Sequence, residues 1–324
     1  MVKSYLTAFG AGVMSALMFM TPVLNIAFGM FVGPFSSLPL FLVGLWGGVR
    51  ALIVAGIVGT VISGILLQKL LPEMLYYLPL SYVAAVLLPA GVMVRQALLH
   101  RTASDGSTEW YPAGQLLAML AALISGLYFV VSLAFMGAEG GLVGQVAQGI
   151  APLVQSYIDT GQAELDPLFT IEELAAGQAF QIVTLMPAGL VLGIPVCMFI
   201  AQGLLTRLGK NLRPTFDLIH LELPIWPIYA FGASAALGIF GPAEFKAIGI
   251  GCAIAFAVPF FFLGLTVIHT FARRFAGGIL LLILVYGLLL FLTPWIGPIL
   301  ALVGFLERWL KLRRRGFGSS SGQE

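Results

Sequence analysis

The sequence predicts an all-α protein: a polytopic transmembrane helix bundle of eight to ten spans, with broken or re-entrant helices and an extracytoplasmic helical insert. The first observation is composition, since 60% of the 324 residues are hydrophobic, 9% are charged and mean hydropathy is +1.02. A soluble domain has about 25% charged residues. The second is a series of apolar runs near the roughly 20 residues that cross a bilayer. The third is an acidic segment, 137–177, that interrupts those runs.

The N-terminal membrane half is predicted over residues 1–136. Its first apolar run, 4–20, resembles a signal sequence, but no small-x-small cleavage site follows, so we interpret it as an uncleaved span. Residues 22–46 contain Gly33-Pro34, which predicts one broken span or a re-entrant segment whose irregular backbone must be shielded from lipid. Further spans are predicted over 50–70, 74–94 and 113–136, with a polar loop over 95–111.

The acidic insert, 137–177, contains no Lys or Arg. Its carboxylates are Glu139, Asp159, Glu164, Asp166, Glu172 and Glu173. Because cytoplasmic loops retain Lys and Arg, this insert is predicted to be extracytoplasmic.

Helical spacing of apolar residues within the insert, from Leu142 to Ile158, predicts an amphipathic helix bent at Pro152. Without a cationic face, this helix should lie over the spans or at the outer interface rather than bind anionic lipid. We interpret it as a structural lid, with a gate over an outward-facing pocket as the alternative. Thr170 and Glu173 form a capping-box pattern that predicts the start of the next helix.

The C-terminal membrane half is predicted over residues 178–315. Its first span, 178–206, contains Pro187 and Pro195, which predict a kink. Spans over 225–240 and 245–271 follow. The last apolar stretch, 277–312, is too long for one span and contains Pro294 and Pro298, so it favours two short antiparallel helices. Residues 316–324 are Ser/Gly-rich and are predicted to form a disordered tail.

The charge distribution supports ten spans with both termini in the cytoplasm. In that arrangement Lys69 and Lys246 lie outside, and the other fourteen of the sixteen Lys and Arg residues lie inside. A different count for 22–46 or for the last stretch leaves eight or nine spans.

Residues that could carry chemistry are scarce within the spans. Proton-coupled and ion-coupled transporters keep ionisable side chains in the membrane, so this scarcity argues against a coupled pump. No catalytic grouping is apparent either, so we predict a protein that is not an enzyme. Cys197 and Cys252 lie in apolar runs and are interpreted as inert buried thiols. No cofactor, metal site or nucleic-acid partner is predicted.

Two candidate contact surfaces emerge. The first is a cytoplasmic contact site formed by Arg213, Asp217, His220 and Glu222; the alternative is a loop in which Arg213 and Asp217 pair locally. The second is the four-residue repeat of Ala8, Gly12 and Ala16 on the first span, since small residues let helices approach closely. That face is interpreted either as internal packing or as a helix-docking face for a transmembrane coupling partner or other membrane protein. Membrane lipid is the other expected partner of the spans.

Two short motifs, Leu223-Pro224-Ile225-Trp226 and Gly304-Phe305-Leu306-Glu307-Arg308-Trp309 followed by Arg313-Arg314, resemble the YybS-like family of uncharacterised bacterial membrane proteins. Members of that family resemble S components of energy-coupling factor transporters, whose first helix docks on a transmembrane partner through small residues. The resemblance implies a multi-pass protein of the bacterial cytoplasmic (inner) membrane, and by position it implies docking through Ala8, Gly12 and Ala16.

The leading functional hypothesis is a transporter-like subunit that binds or passes a small molecule. The alternative is an assembly or scaffold protein of the cell envelope without transport activity, which would use the insert and the cytoplasmic loop as contact surfaces.

Overall fold

A computed structural model describes residues 2–70, 78–160, 170–216, 221–274 and 276–315. Seven of its helical segments are long and apolar enough to cross a membrane. The helices are α1 (Val2–Leu24), α2 (Ile26–Val32), α3 (Leu38–Leu70), α4 (Leu78–Tyr82), α5 (Leu88–Ala97), α6 (Ala113–Ala134), α7 (Gly141–Asp159), α8 (Ile171–Arg207), α9 (Trp226–Phe240), α10 (Ala243–Ala272), α11 (Gly278–Leu310) and α12 (Leu312–Arg315). The predicted tail, 316–324, lies outside the described residues.

The chain divides into two compact units. Unit 1 comprises Met1–Leu120 and Leu190–Glu222, and unit 2 comprises Ala121–Gly189 and Leu223–Glu324. The grouping differs from the predicted halves 1–136 and 178–315, because α6 and α8 each contribute one part to each unit. The insert, 137–177, belongs to unit 2.

In unit 1, the chain reverses after α1. The Asn25 side chain accepts a hydrogen bond from Phe28 N and begins α2. Ser15 Oγ then donates to the carbonyl of Ser36, 21 residues later, at 2.6 Å. The backbone of residues 25–36 therefore runs back along α1. The predicted interruption at Gly33-Pro34 is confirmed, since a short 3₁₀ turn, Gly33–Phe35, separates α2 from α3.

The chain reverses again inside α3, at Gly48, whose backbone has φ 78°. A Cβ atom added to Gly44 would lie 2.9 Å from Leu52 Cδ1. Eight residues of straight helix rise about 12 Å, so Gly44 and Leu52 meet only because the helix folds back between them. The predicted broken segment 22–46 is thus formed by the end of α1, by α2 and by the first limb of α3.

The second limb of α3 packs tightly against α1. A Cβ on Gly12 would meet the Ala55 carbonyl and would lie 2.9 Å from Val58 Cβ. Ala8 and Ala16 are fully buried. The face predicted as a docking surface is therefore covered within the chain, because α3 supplies the close helix contact that small residues allow.

A hairpin of two short strands, β1 (His100–Thr102) and β2 (Thr108–Trp110), also belongs to unit 1. The hairpin lies within the predicted polar loop, 95–111. Gly106, with φ 81°, follows Asp105 in the turn, and the Asp105 carboxylate accepts hydrogen bonds from the Ser107 amide and hydroxyl. These bonds lower the pKa of Asp105.

In unit 2, α11 does not run straight. Gly278, at its start, packs on Ala272 at the end of α10. Arg313, just beyond the end of α11, accepts a hydrogen bond at its carbonyl from Arg274 Nη2, at 3.0 Å. A straight helix of 33 residues would be about 50 Å long, so its two ends could not both lie beside the end of α10. The helix turns back at Leu292 (φ −126°, ψ 32°), two residues before Pro294, so the predicted division into two antiparallel helices is confirmed.

The returning limb of α11 crosses α10 at two glycines. A Cβ on Gly304 would meet the Phe260 carbonyl, and one on Gly264 would meet the Leu300 carbonyl. Past this crossing, Glu307 is buried and accepts a 2.8 Å hydrogen bond from Arg313 Nε, which links the end of α11 to α12.

Candidate ligand-binding site

A cleft of about 410 Å³ lies within unit 2. It is bounded by the end of α6, the turn that precedes α7, the first residues of α7, Phe180 of α8 and the first turn of α10. Small-molecule sites in proteins commonly have volumes of about 300–1,000 Å³, so the cleft is large enough for a compact ligand.

The floor of the cleft is formed by Tyr128 and Ile248, which belong to a packed cluster that also contains Val183 and Cys252. The Tyr128 hydroxyl donates a 3.1 Å hydrogen bond to the Ala247 carbonyl, which joins α6 to α10. The floor is therefore held by both packing and hydrogen bonding, as expected for a site that exists before a ligand arrives.

The first turns of α7 cover this floor. Leu142, Val143 and Val146 pack against the cluster, and together with Phe245 they place an apolar surface above it. Gly140, which precedes α7, and Gly141, its first residue, have φ 68° and 60°. Two consecutive left-handed residues require glycine, because other L residues are strained in that region.

Besides Tyr128, three polar side chains line the cleft. Ser132 is 5% exposed, and its hydroxyl lies beside the Tyr128 phenol, but it makes no hydrogen bond of standard geometry with any described residue. Glu244 and Lys246 lie in the first turn of α10 and are exposed. Neither forms an ion pair with a described residue. The ion pairs among the described residues join Arg101 to Glu109 and Arg313 to Glu307, away from the cleft. A buried hydroxyl without a partner favours a ligand or water that would satisfy it.

These three residues are not among the site residues that the sequence predicts. Ser132 is a single hydroxyl in an apolar run, and Glu244 and Lys246 follow the Gly241-Pro242 break like ordinary interfacial charges. The one signal was Lys246 itself, one of two cations that the charge distribution placed outside.

Arg213, which was predicted to form part of a cytoplasmic contact site, is buried inside unit 1. It is 7% exposed, and its guanidinium donates to the carbonyl oxygens of Ala97 (2.9 Å) and Tyr111 (3.0 Å) and lies 4.0 Å from the centre of the Phe216 ring. Burial lowers the pKa of Arg213 to about 10, which leaves it charged at neutral pH.

This arrangement makes Arg213 an internal link. It joins the C-terminal end of α5 to the residues that enter α6, and Gln202 of α8 donates a 2.6 Å hydrogen bond to its carbonyl. Its guanidinium is not available to a partner. Glu222 is exposed, and Asp217 and His220 lie outside the described residues, so the contact-site hypothesis depends on those three.

The fold and the cleft together define the class: a multi-pass integral membrane protein, built from several apolar helices of membrane-spanning length. Comparisons with protein-family models, curated proteins and solved structures found no match.

Proposed function

We propose that this integral membrane protein binds a small molecule in the cleft beneath α7 and acts as a transporter-like binding or transport subunit of the bacterial inner membrane. The observation that carries the proposal is the unpartnered, buried Ser132 hydroxyl in a cleft of ligand size. An internal packing defect would be expected to be apolar and dry, whereas this one combines a hydroxyl with charged groups.

The proposed threading crosses the membrane ten times. The two reversals, at Gly48 and Leu292, each divide a long helical segment into two limbs, and the 15-residue apolar helix α9 supplies one further crossing. With both termini in the cytoplasm, α7 and the first turn of α10 lie on the extracytoplasmic side. The cleft then opens outward, and α7 serves as its cover.

The resemblance to the YybS-like family supports this role, since members of that family resemble the substrate-binding S components of energy-coupling factor transporters. The docking face implied for them at Ala8, Gly12 and Ala16 is covered here by α3, so a transmembrane coupling partner would have to use another surface.

Native mass spectrometry of the full-length protein, gently extracted from host membranes, tests ligand binding. The variant Ala243→Trp would fill the cleft from the exposed first turn of α10. The matched control is Gln148→Trp, which adds the same side chain to an exposed position of α7 that does not line the cleft.

We expect wild type and Gln148→Trp to retain a bound molecule that Ala243→Trp loses. If no preparation of wild type retains a molecule, or if Ala243→Trp retains it equally, the cleft is not a ligand site. Deletion of residues 140–160 distinguishes the transport subunit from the scaffold alternative. Loss of a co-purifying protein with unchanged solute uptake would favour a scaffold role over transport.

A further inference from the structure

The charges that line the cleft restrict the ligand further. Glu244 and Lys246 are two residues apart on α10, and side chains at that spacing on a helix do not face each other. They therefore cannot neutralise one another, although both line the same cleft. Neither has a charged partner among the described residues.

A ligand that covers this turn would bury both charges, and burying an unpaired charge is strongly unfavourable. A purely anionic ligand would leave Glu244 unpaired and would be repelled by it. A purely cationic ligand would have the same conflict with Lys246. A neutral ligand would leave both charges without partners. Only a ligand with a cationic and an anionic group can pair with both side chains.

The start of α10 reinforces this polarity. Ala243, Glu244, Lys246 and Ala247 line the cleft, which therefore lies along one side of the start of this helix. A helix N-terminus carries unbonded N–H groups and a partial positive charge, which favour an anion beside Lys246. The cationic group is left for Glu244, with the Ser132 oxygen as a further acceptor.

The remaining lining is apolar. Leu142, Val143, Phe180 and Ile248 surround the polar groups. They would pack on a hydrocarbon portion of the ligand and stabilise it by removing apolar surface from water.

Resting on the proposed function, we infer that the cleft binds an amphiphilic zwitterion: a primary ammonium and an oxyanion joined to an apolar body. This chemistry has two sources, a free amino acid with an apolar side chain and the headgroup region of an aminophospholipid such as phosphatidylethanolamine.

Isothermal titration of the full-length protein in phosphatidylglycerol nanodiscs tests the free amino acid. L-leucine is compared with two probes that each lack one charge, 4-methylpentanoate without the ammonium and leucinamide without the carboxylate. Native mass spectrometry in detergent, with equal amounts of phosphatidylethanolamine and phosphatidylglycerol, tests the lipid.

We expect saturable binding of leucine or selective retention of phosphatidylethanolamine. The bound zwitterion should lose about 10- to 100-fold in affinity in Glu244→Gln and in Lys246→Met, because each removes one charge-assisted contact. Glu172→Gln and Lys69→Met are the matched controls, since both residues are exposed and neither lines the cleft.

The inference is overturned if neither zwitterion binds, if a singly charged probe binds as tightly as leucine, or if both cleft variants keep wild-type affinity. The proposal that the cleft binds a small molecule would still stand if wild type retains some other molecule and Ala243→Trp loses it. Failure of retention by every variant would remove both proposals together.

Discussion

Replacing Arg213 with Met should destabilise the protein more than replacing any exposed cation. Met keeps most of the apolar stem against Phe216 but removes the guanidinium that bonds the carbonyl oxygens of Ala97 and Tyr111. The carbonyl of Ala97 lies at the end of α5, where no intrahelical donor remains, so it loses its partner.

The magnitude follows from the contacts. A hydrogen bond to a charged group contributes about 1.5–3 kcal/mol, so the loss of two such bonds should lower the free energy of unfolding by about 3–6 kcal/mol before any compensation. Met also relieves the cost of burying the guanidinium, the same burial that lowers the pKa of Arg213 to about 10. We therefore expect a net loss near the lower bound, about 3 kcal/mol. Arg213→Lys keeps the charge but cannot bond both carbonyls in fixed geometry, so it should lose about half as much.

The assay is equilibrium unfolding in mixed micelles of dodecylmaltoside and SDS, followed by tryptophan fluorescence. Trp110 is a suitable reporter, because the Arg213 guanidinium lies 5.8 Å from its ring centre. Arg207→Met, at an exposed position in the last turn of α8, is the matched control. If Arg213→Met and Arg207→Met unfold within about 0.5 kcal/mol of each other, the internal link does not stabilise the protein as described.

Three further substitutions test packing and capping, measured by the same unfolding assay. Gly12→Val should lower the free energy of unfolding by several kcal/mol because its new Cβ would meet the backbone of α3, whereas Gly10→Val, with open space around it, should change little; equal effects would contradict the crossing. Gly304→Val should be similarly disruptive where α11 crosses α10, and Gly287→Val, also in open space, should not; a harmless Gly304→Val would argue against the returning limb. Thr170→Ala should cost about 1 kcal/mol by removing the N-terminal cap of α8, and no measurable loss would show that the cap contributes nothing.

Local sequence signals predicted much of the fold because each depends on a few neighbouring residues. Proline removes a backbone hydrogen-bond donor and glycine lowers helix propensity, and the chain is broken or reversed in both stretches where they cluster, 22–46 and 277–312. The capping box is confirmed: Thr170 N donates to Glu173 Oε2 at 2.8 Å, and Glu173 N donates to Thr170 Oγ1 at 3.2 Å.

Features that depend on distant contacts could not be predicted in this way. Arg213 has the sequence context of an exposed loop cation, and only the positions of Ala97 and Tyr111, over 100 residues away, explain its burial. Ser132 likewise becomes informative only when α7 and α10 surround it. The β-hairpin had one sequence signal, since Asp105-Gly106 is a common hairpin turn. Its flanking strands are too short to show an alternating hydrophobic pattern, so the strands themselves were not predicted.

Cysteine accessibility in intact bacterial cells tests the central claim, that α7 and its cleft face outward. The native thiols of Cys197 and Cys252 are buried and can be replaced by Ala. Single cysteines at Gln148 on α7 and at Lys210, beyond α8, are both exposed positions. An impermeant maleimide should label the Gln148→Cys variant in intact cells and the Lys210→Cys variant only after lysis. Labelling of Lys210→Cys in intact cells, with Gln148→Cys protected, would invert the orientation and close the cleft to any ligand from outside.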